Sequence, residues 1–260
     1  MASFDNKYLR QVSRYECKYL VPYGMLRVLR EDLRPFVEPD AYAALNPGNR
    51  YVTNSLYLDS PGLRLYRMTA HGEKSRYKLR IRTYSDEKDM PVFFEIKKRA
   101  DGIVKKIRCA ARRSYAQRFL EGQNRQSNPR DSDPDIAEFL QLSREVDAGP
   151  TFRVRYDREA YESRGGEPTR ITFDTNLSYC LTTTPELSVG GLGWRKAMTD
   201  QAIIEIKFTD RFPTWVQEFV ERYELQRCSV PKYCLSVDKA LDRGECLIPV
   251  PGHHSLAYAL

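Results

Sequence analysis

The chain has 260 residues, of which 41% are hydrophobic and 30% charged, with 17 tyrosines and a net charge of +7. That composition supports a sizeable core and argues against a disordered chain, and the positive balance points to an anionic partner: nucleic acid, an acidic membrane surface or a phosphate-rich small molecule. No run approaches the ~20 apolar residues of a membrane span, no apolar leader opens the chain, and the six cysteines contain no CxxC pair and find no zinc-like spacing with the three histidines, so the expectation is a cytoplasmic protein with reduced thiols.

In chain order, a strand is expected near 14–20. Pro22 then opens a helix with Leu26, Leu29, Leu33 and Phe36 on one face. A strand near 51–59 leads to Ser60-Pro61, which starts a helix bearing Leu63, Tyr66 and Met68; Gly72 closes it, with His71 as a capping residue. Strands follow near 76–84, 91–99 and 103–109, the last two joined at Ala100-Asp101-Gly102, a hairpin signal. The stretch from Gly122 to Asp133 reads as a surface loop, and Asp133-Pro134 starts a third helix with Ile136, Phe139 and Leu140. Strands near 151–161, 169–175, 177–183 and 202–208 come next, with Gly190–Gly193 as a plain turn. The chain finishes with two helices: Pro213–Leu225, with Trp215, Phe219 and Tyr223 on its packing face, and Ser229–Asp242, stopped by Gly244. No repeat or linker divides the chain, so residues 1–260 are read as one domain.

Successive strand side chains point to opposite faces. Arg76, Lys78, Arg80 and Arg82 share one face of their strand, while Tyr77, Leu79 and Ile81 share the other. Glu205 and Lys207 alternate with Ile204, Ile206 and Phe208; Glu95 and Lys97 repeat the arrangement, as do Arg14, Glu16 and Lys18, and Arg170, Thr172 and Asp174 share a face. One such strand reads as a solvated face. Several of them, beside helices whose apolar faces also need cover, read differently: if helices pack outside, the apolar strand faces meet them and the charged faces line the interior. The expected fold is therefore α+β, a closed eight-stranded antiparallel barrel with helices outside and at the ends, closure removing the sheet edges. A charged interior needs an opposite charge to fill it. Basic residues outnumber acids in these rows, so the missing charge is an anion with many oxygens, which Arg forks and Lys ammoniums suit. Glu205 and Glu95 are candidates to hold a divalent cation bridging phosphates, or to pair with neighbouring lysines.

An ordered set of segments carries a resemblance. It runs through Arg14-Tyr15-Glu16-Cys17-Lys18, Ser55-Leu56-Tyr57-Leu58-Asp59, Lys78-Leu79-Arg80-Ile81-Arg82, Phe94-Glu95-Ile96-Lys97-Lys98, Val104-Lys105, Tyr156-Asp157-Arg158, Arg170-Ile171-Thr172-Phe173-Asp174, Ile204-Glu205-Ile206-Lys207 and Val230-Pro231-Lys232-Tyr233. With it the chain resembles the catalytic domain of the vacuolar transporter chaperone (VTC) polyphosphate polymerases, in the CYTH or triphosphate tunnel superfamily. The resemblance implies a phosphate-binding tunnel in which Arg80, Arg82, Lys97, Lys105, Arg158, Arg170 and Lys232 contact ATP or polyphosphate. It also implies that Lys18 contributes at one mouth and that Glu205 holds Mn²⁺ or Mg²⁺. Lys78 and Lys207, on the same rows, join Lys18 and Lys105 as substrate-binding candidates, and Glu95 stands as a second metal candidate. Arg158 lies on the opposite alternation from Arg153 and Arg155, so one set faces away unless a bulge changes the register.

The implied reaction is transfer of the ATP γ-phosphate to a growing polyphosphate chain, which needs positioning and charge neutralisation more than a protein nucleophile. Hydrolysis of triphosphate and non-catalytic binding of polyphosphate or nucleotide demand the same lining. Nucleic acid is disfavoured, because inward-facing cations are out of a duplex's reach. Two departures from yeast-type members stand out. Their N-terminal phosphate-sensing domain and membrane helices are not in this sequence, so the expectation is a bacterial stand-alone member with room for a membrane protein partner. A lysine that they place three residues after the match to Lys232 is here Leu235.

Overall fold

The computed structural model describes residues 14–101, 103–122 and 133–246, without the Arg14 side chain. Ten strands form one antiparallel sheet: β1 (Arg14–Pro22), β2 (Val37–Pro39), β3 (Arg50–Asp59), β4 (Arg76–Thr83), β5 (Val92–Ala100), β6 (Ile103–Ala111), β7 (Gly149–Ser163), β8 (Thr169–Leu181), β9 (Arg195–Lys196) and β10 (Gln201–Thr209). The described residues also form six α-helices, four between strands and two after β10: α1 (Leu26–Leu33), α2 (Arg64–Ala70), α3 (Arg113–Leu120), α4 (Pro134–Glu145), α5 (Thr214–Arg222) and α6 (Lys232–Asp242). None of the described helices is long and apolar enough to cross a membrane.

Eight strands lie in the order β1-β10-β8-β7-β3-β4-β5-β6, with β2 added to β7 and β9 to β8. The sheet curls, but among the described residues no ladder joins β1 to β6, so the expected closed barrel is corrected to an open one. The connection between α5 and α6 supplies a physical reason. α5 packs on the outer face of β1, β8 and β10 through Val216 and Phe219. α6 packs against side chains of the inner face, among them Tyr57, Val154 and Tyr156. The chain must therefore pass from outside to inside, and it does so along the free edge of β1. There Tyr19 bridges to Arg227, and the Cys228 amide donates to the Lys18 carbonyl at 2.8 Å. Further along the same gap the closure is made by side chains: Glu16 of β1 meets Lys106 of β6 at 2.7 Å.

The outer face carries two cores. Leu29, Leu33, Ile171, Phe173, Ile204 and Ile206 join α1 and α5 to β8 and β10. Leu56, Leu79, Ile81, Phe94, Ile96 and Phe139 join β3, β4 and β5 to α4, with α3 contributing Ala116 and Phe119. The apolar alternate positions do face outward against helices, as the alternation demands. A third core fills one end of the interior, where Tyr233, Cys234 and Val237 of α6 pack on Tyr57, Phe152, Val154, Leu177 and Tyr179.

The remaining expectations meet the structure unevenly. The strands expected at 169–175 and 177–183 are one strand, β8. Asn176 sits at φ 57, and the β7–β8 register shifts between Arg155 and Asp157, matched to Ser178 and Thr175. The break in alternation is thus a bulge that keeps the strand running, not a turn. α1 stops at Leu33, and Phe36 instead stacks on Trp215 at 5.1 Å. His71 caps α2, with Gly72 at φ 68 just beyond. α3, β2 and β9 were not expected: the N-cap of α3, Arg112, makes no side-chain capping bond, and the two strands have three and two residues. All six cysteines are free. Residues 123–132, His253 and His254 lie outside the described residues.

Asp59 ties the end of β3 to both interior-side helices. Its buried carboxylate accepts from the amides of Ser60, Leu65 and Tyr66 at 2.7, 2.8 and 2.9 Å and from the Tyr233 hydroxyl at 2.8 Å. Removing it strands several buried donors, each costing about 1–3 kcal/mol. Asp59→Ala should lower unfolding stability by about 3 kcal/mol in urea titration; a loss under about 1 kcal/mol would contradict this role.

Candidate active site

The inner face of the curled sheet is set by what its alternate residues do outside. Leu79 and Ile81 of β4 enter the outer core, so Lys78, Arg80 and Arg82 point inward. The ladder then places Glu95 beside Arg80 and Lys97 beside Lys78 on β5, and Arg108 beside Glu95 and Lys106 beside Lys97 on β6. Lys105 takes the other face: it pairs in register with Lys98, whose ammonium meets Glu138 of α4 outside. The structure therefore places Lys105 exposed on the outer wall, and brings Lys106 and Arg108 to the trough instead. Buried Ile107 and Cys109 mark the outward row of β6, a signal the sequence held. Arg153 and Arg155 are likewise outside, with guanidiniums 4.8 and 4.2 Å from the Trp194 ring, whereas Arg158 faces inward. The bulge that shifts the register lies on β8, so alternation along β7 is unbroken.

Four inner carboxylates organise the cations. Glu95 takes Arg80 at 2.6 Å, Arg108 at 3.6 Å and Arg82 at 3.8 Å. Asp174 takes Arg158 at 2.6 Å and Lys232 at 2.7 Å. Glu16 takes Lys18 at 2.5 Å, Lys106 at 2.7 Å and Lys97 at 3.7 Å. Glu205 takes Lys207 and, at 3.5 Å, Lys18. The cations outnumber the acids at every node, so the interior keeps a positive excess. Arg170 stands beside Lys207 in the ladder, but its guanidinium turns to Asp40 at 2.5 Å and Glu162 at 3.3 Å. Burial pushes the Cys234 thiol of α6 up, and the nearby Lys78 charge opposes that rise.

Tyr156 lies where the two main clusters meet. The Arg158 guanidinium and the Lys232 ammonium lie over its ring at 5.2 and 4.8 Å, and its hydroxyl accepts from Arg82 at 3.5 Å. Tyr57 accepts from Arg80 at 3.0 Å. Asp59 belongs to the helix junction described above. Glu16, Asp174, Lys106, Arg108 and Tyr156 are the trough residues that the sequence reading left unassigned.

The electrostatics follow from this crowding. Burial pushes the Glu95 carboxyl up, but Arg80, Arg82 and Arg108 outweigh it and hold it at about 2. Glu205 is treated alike: burial opposes ionisation, and Lys207, Lys18, Lys232 and Arg158 hold it well below the usual carboxylate range. Lys97 moves the other way. Burial and the neighbouring Lys18, Lys106 and Lys78 pull its ammonium down to about 7, against the opposing pull of Glu16.

Among the described residues no three His, Cys, Asp or Glu side chains cluster as a ready metal cage. A divalent ion held by one or two carboxylates plus substrate phosphates needs no such cage. Glu205 fits that mode, because its ladder partner Thr172 has a buried hydroxyl oxygen with no hydrogen-bond partner. Glu95, the second metal candidate, has no such neighbour: its two ladder partners are Arg80 and Arg108. A cavity of about 630 Å³ outside the trough, lined by Asp86, Arg113, Gln117 and residues 184–188, has no comparable cation cluster.

No curated protein matches the chain in sequence. Solved structures with a similar course include a candidate adenylate cyclase of Bacillus halodurans, 14% identical over 83% of this chain and 91% of that one, with a TM-score of 0.49. Another is a candidate adenylyl cyclase, HpAC1 of Hippeastrum, described as having a dominant triphosphatase activity, 14% identical over 93% of this chain and 100% of that one, with a TM-score of 0.48. A candidate adenylate cyclase of Vibrio parahaemolyticus is 13% identical over 86% and 97%, with a TM-score of 0.45. Family membership rests on none of these. The sequence model of the VTC domain matches residues 13–241, nearly the whole described chain, and the chain belongs to the VTC domain family.

Proposed function

We propose that this protein is an inorganic polyphosphate polymerase, transferring the γ-phosphate of ATP to the end of a polyphosphate chain held in the trough. The observation that carries the reading is the positive excess of Arg80, Arg82, Arg158, Lys232, Lys18 and Lys207 around buried carboxylates. Membership of the VTC domain family supports it further. Arg82 of β4 meets the Tyr156 hydroxyl while Arg158 and Lys232 lie over its ring, so cations from β4, β7 and α6 converge on one stretch of the trough. Arginine forks bind and orient the oxygens, and lysines neutralise them as point charges. An oxygen of the acceptor's terminal phosphate attacks the γ-phosphorus, the bond to the β-phosphate oxygen breaks, and ADP leaves. The residues serve this by in-line positioning and by stabilising charge on the transferring group. Glu205 would hold a divalent cation, Mn²⁺ or Mg²⁺, which supplies further neutralisation of phosphate oxygens when bound. Lys97, Lys106 and Lys78 extend the cationic lining along β4–β6.

A second reading, hydrolysis of triphosphate, is favoured by one feature: α6 fills one end of the interior with apolar side chains, and Leu235 packs into that core where yeast-type members have lysine. Less cationic lining toward that end suits a short substrate. Incubation with ATP and Mn²⁺, followed by gel analysis of chain length, separates the two. Chains longer than a few phosphates are expected, and Arg80→Ala or Glu205→Ala should each reduce synthesis by about 100-fold or more, the scale of losing a charge-stabilising group. Phosphate release without polymer under any divalent metal would instead select hydrolysis.

The depressed Lys97 ammonium gives a pH signature. It is charged below about 7 and loses its proton above that. A bound phosphate restores the charge, so binding above pH 7 takes up a proton and weakens as pH rises. Tripolyphosphate affinity measured by calorimetry should fall between pH 7 and 8.5 more steeply for wild type than for Lys97→Arg, whose guanidinium stays charged throughout. Identical slopes for the two proteins would refute this.

A further inference from the structure

Three of the four inner carboxylates are partly open to the trough: the Glu16 side chain is 20% exposed, Glu95 11% and Glu205 8%. Asp174 differs, because its side chain is 0% exposed. Its Oδ1 accepts from Arg158 Nε at 2.6 Å, and its Oδ2 accepts from Arg158 Nη2 at 2.7 Å and pairs with Lys232 Nζ at 2.7 Å. A sealed carboxylate cannot touch a ligand, but the groups it holds can. A guanidinium has five N–H donors and an ammonium three, so Arg158 and Lys232 both keep donors beyond those spent on Asp174. The two cations come from different elements, β7 and the first turn of α6, and would repel each other without a shared anion. Tyr156 lies against both of them.

We propose that Asp174 is a positioning residue, which locks Arg158 and Lys232 into a single two-cation clamp for one phosphate group of the substrate. The inference rests on the phosphate-binding reading of the trough given above. It assigns Asp174 no contact with substrate or metal: the carboxylate fixes the guanidinium plane through a bidentate pair and draws Lys232 of α6 to the same spot. Orienting partners of this kind are worth about 10–100-fold when lost.

The test is tripolyphosphate binding by calorimetry for wild type, Asp174→Asn, the Arg158→Ala/Lys232→Ala protein, and the triple variant. Asp174→Asn keeps the shape and removes the charge. It should weaken binding about tenfold or more in the wild-type background and change it less than about twofold once Arg158 and Lys232 are gone, because its effect runs through them. If Asp174→Asn does not fold, Arg158→Lys reads the same link: it keeps the charge but loses the fork, and should bind about tenfold more weakly. Binding by Asp174→Asn as tight as wild type, or an equal loss in both backgrounds, would overturn the inference while leaving the functional reading intact. So would wild-type affinity in Arg158→Lys where that variant is the one read. Failure of the wild-type protein to bind tripolyphosphate would overturn both.

Discussion

Cations crowded on the inner face of a curled sheet cannot be left without counter-charge, because like charges repel at close range. Four carboxylates meet that need in the free protein, each shared by two or more Lys or Arg side chains. The rest of the molecule serves this arrangement. Helices α1, α3, α4 and α5 cover the apolar outer wall, which allows the polar rows to turn inward. The acids hold the cations in place but do not neutralise them, and that residue of positive charge is what an oxygen-rich anion would complete.

The same constraint bears on why the sheet stays open. α6 must enter the interior to seal one end and to present Lys232 to Asp174, and the chain leading to it occupies the free edge of β1. Backbone pairing between β1 and β6 is given up there, and Glu16 spans the remaining gap with ion pairs to Lys106 and Lys97. An edge covered by a loop and by charged side chains is also a poor template for pairing with other chains.

Much of this was legible in the sequence. The period-two alternation in Lys78-Leu79-Arg80-Ile81-Arg82 and Ile204-Glu205-Ile206-Lys207 reports directly which residues face the helices and which face inward. Elsewhere the reading slipped. Lys105 was assigned from the resemblance; its neighbour Lys106 faces inward instead, as the outward Ile107 and Cys109 show. The bulge at Asn176 looks like a turn to a local reading, although the strand continues through it. Closure could not be read at all, because it depends on the route from α5 to α6, a matter of three-dimensional connection and not of local pattern. The pairing of Asp174 with Lys232 is hidden for the same reason, since 58 positions separate the partners in sequence while 2.7 Å separates them in space.

A crystal structure of the protein with tripolyphosphate would locate the bound anion. Phosphate groups are expected between Arg80 and Arg82 on one side and Arg158 and Lys232 on the other, beside Tyr156 and within reach of Glu205. Phosphate bound instead to the outer wall, at Lys98 and Lys105 or at Arg153 and Arg155, with the trough unfilled at saturating ligand, would contradict this placement.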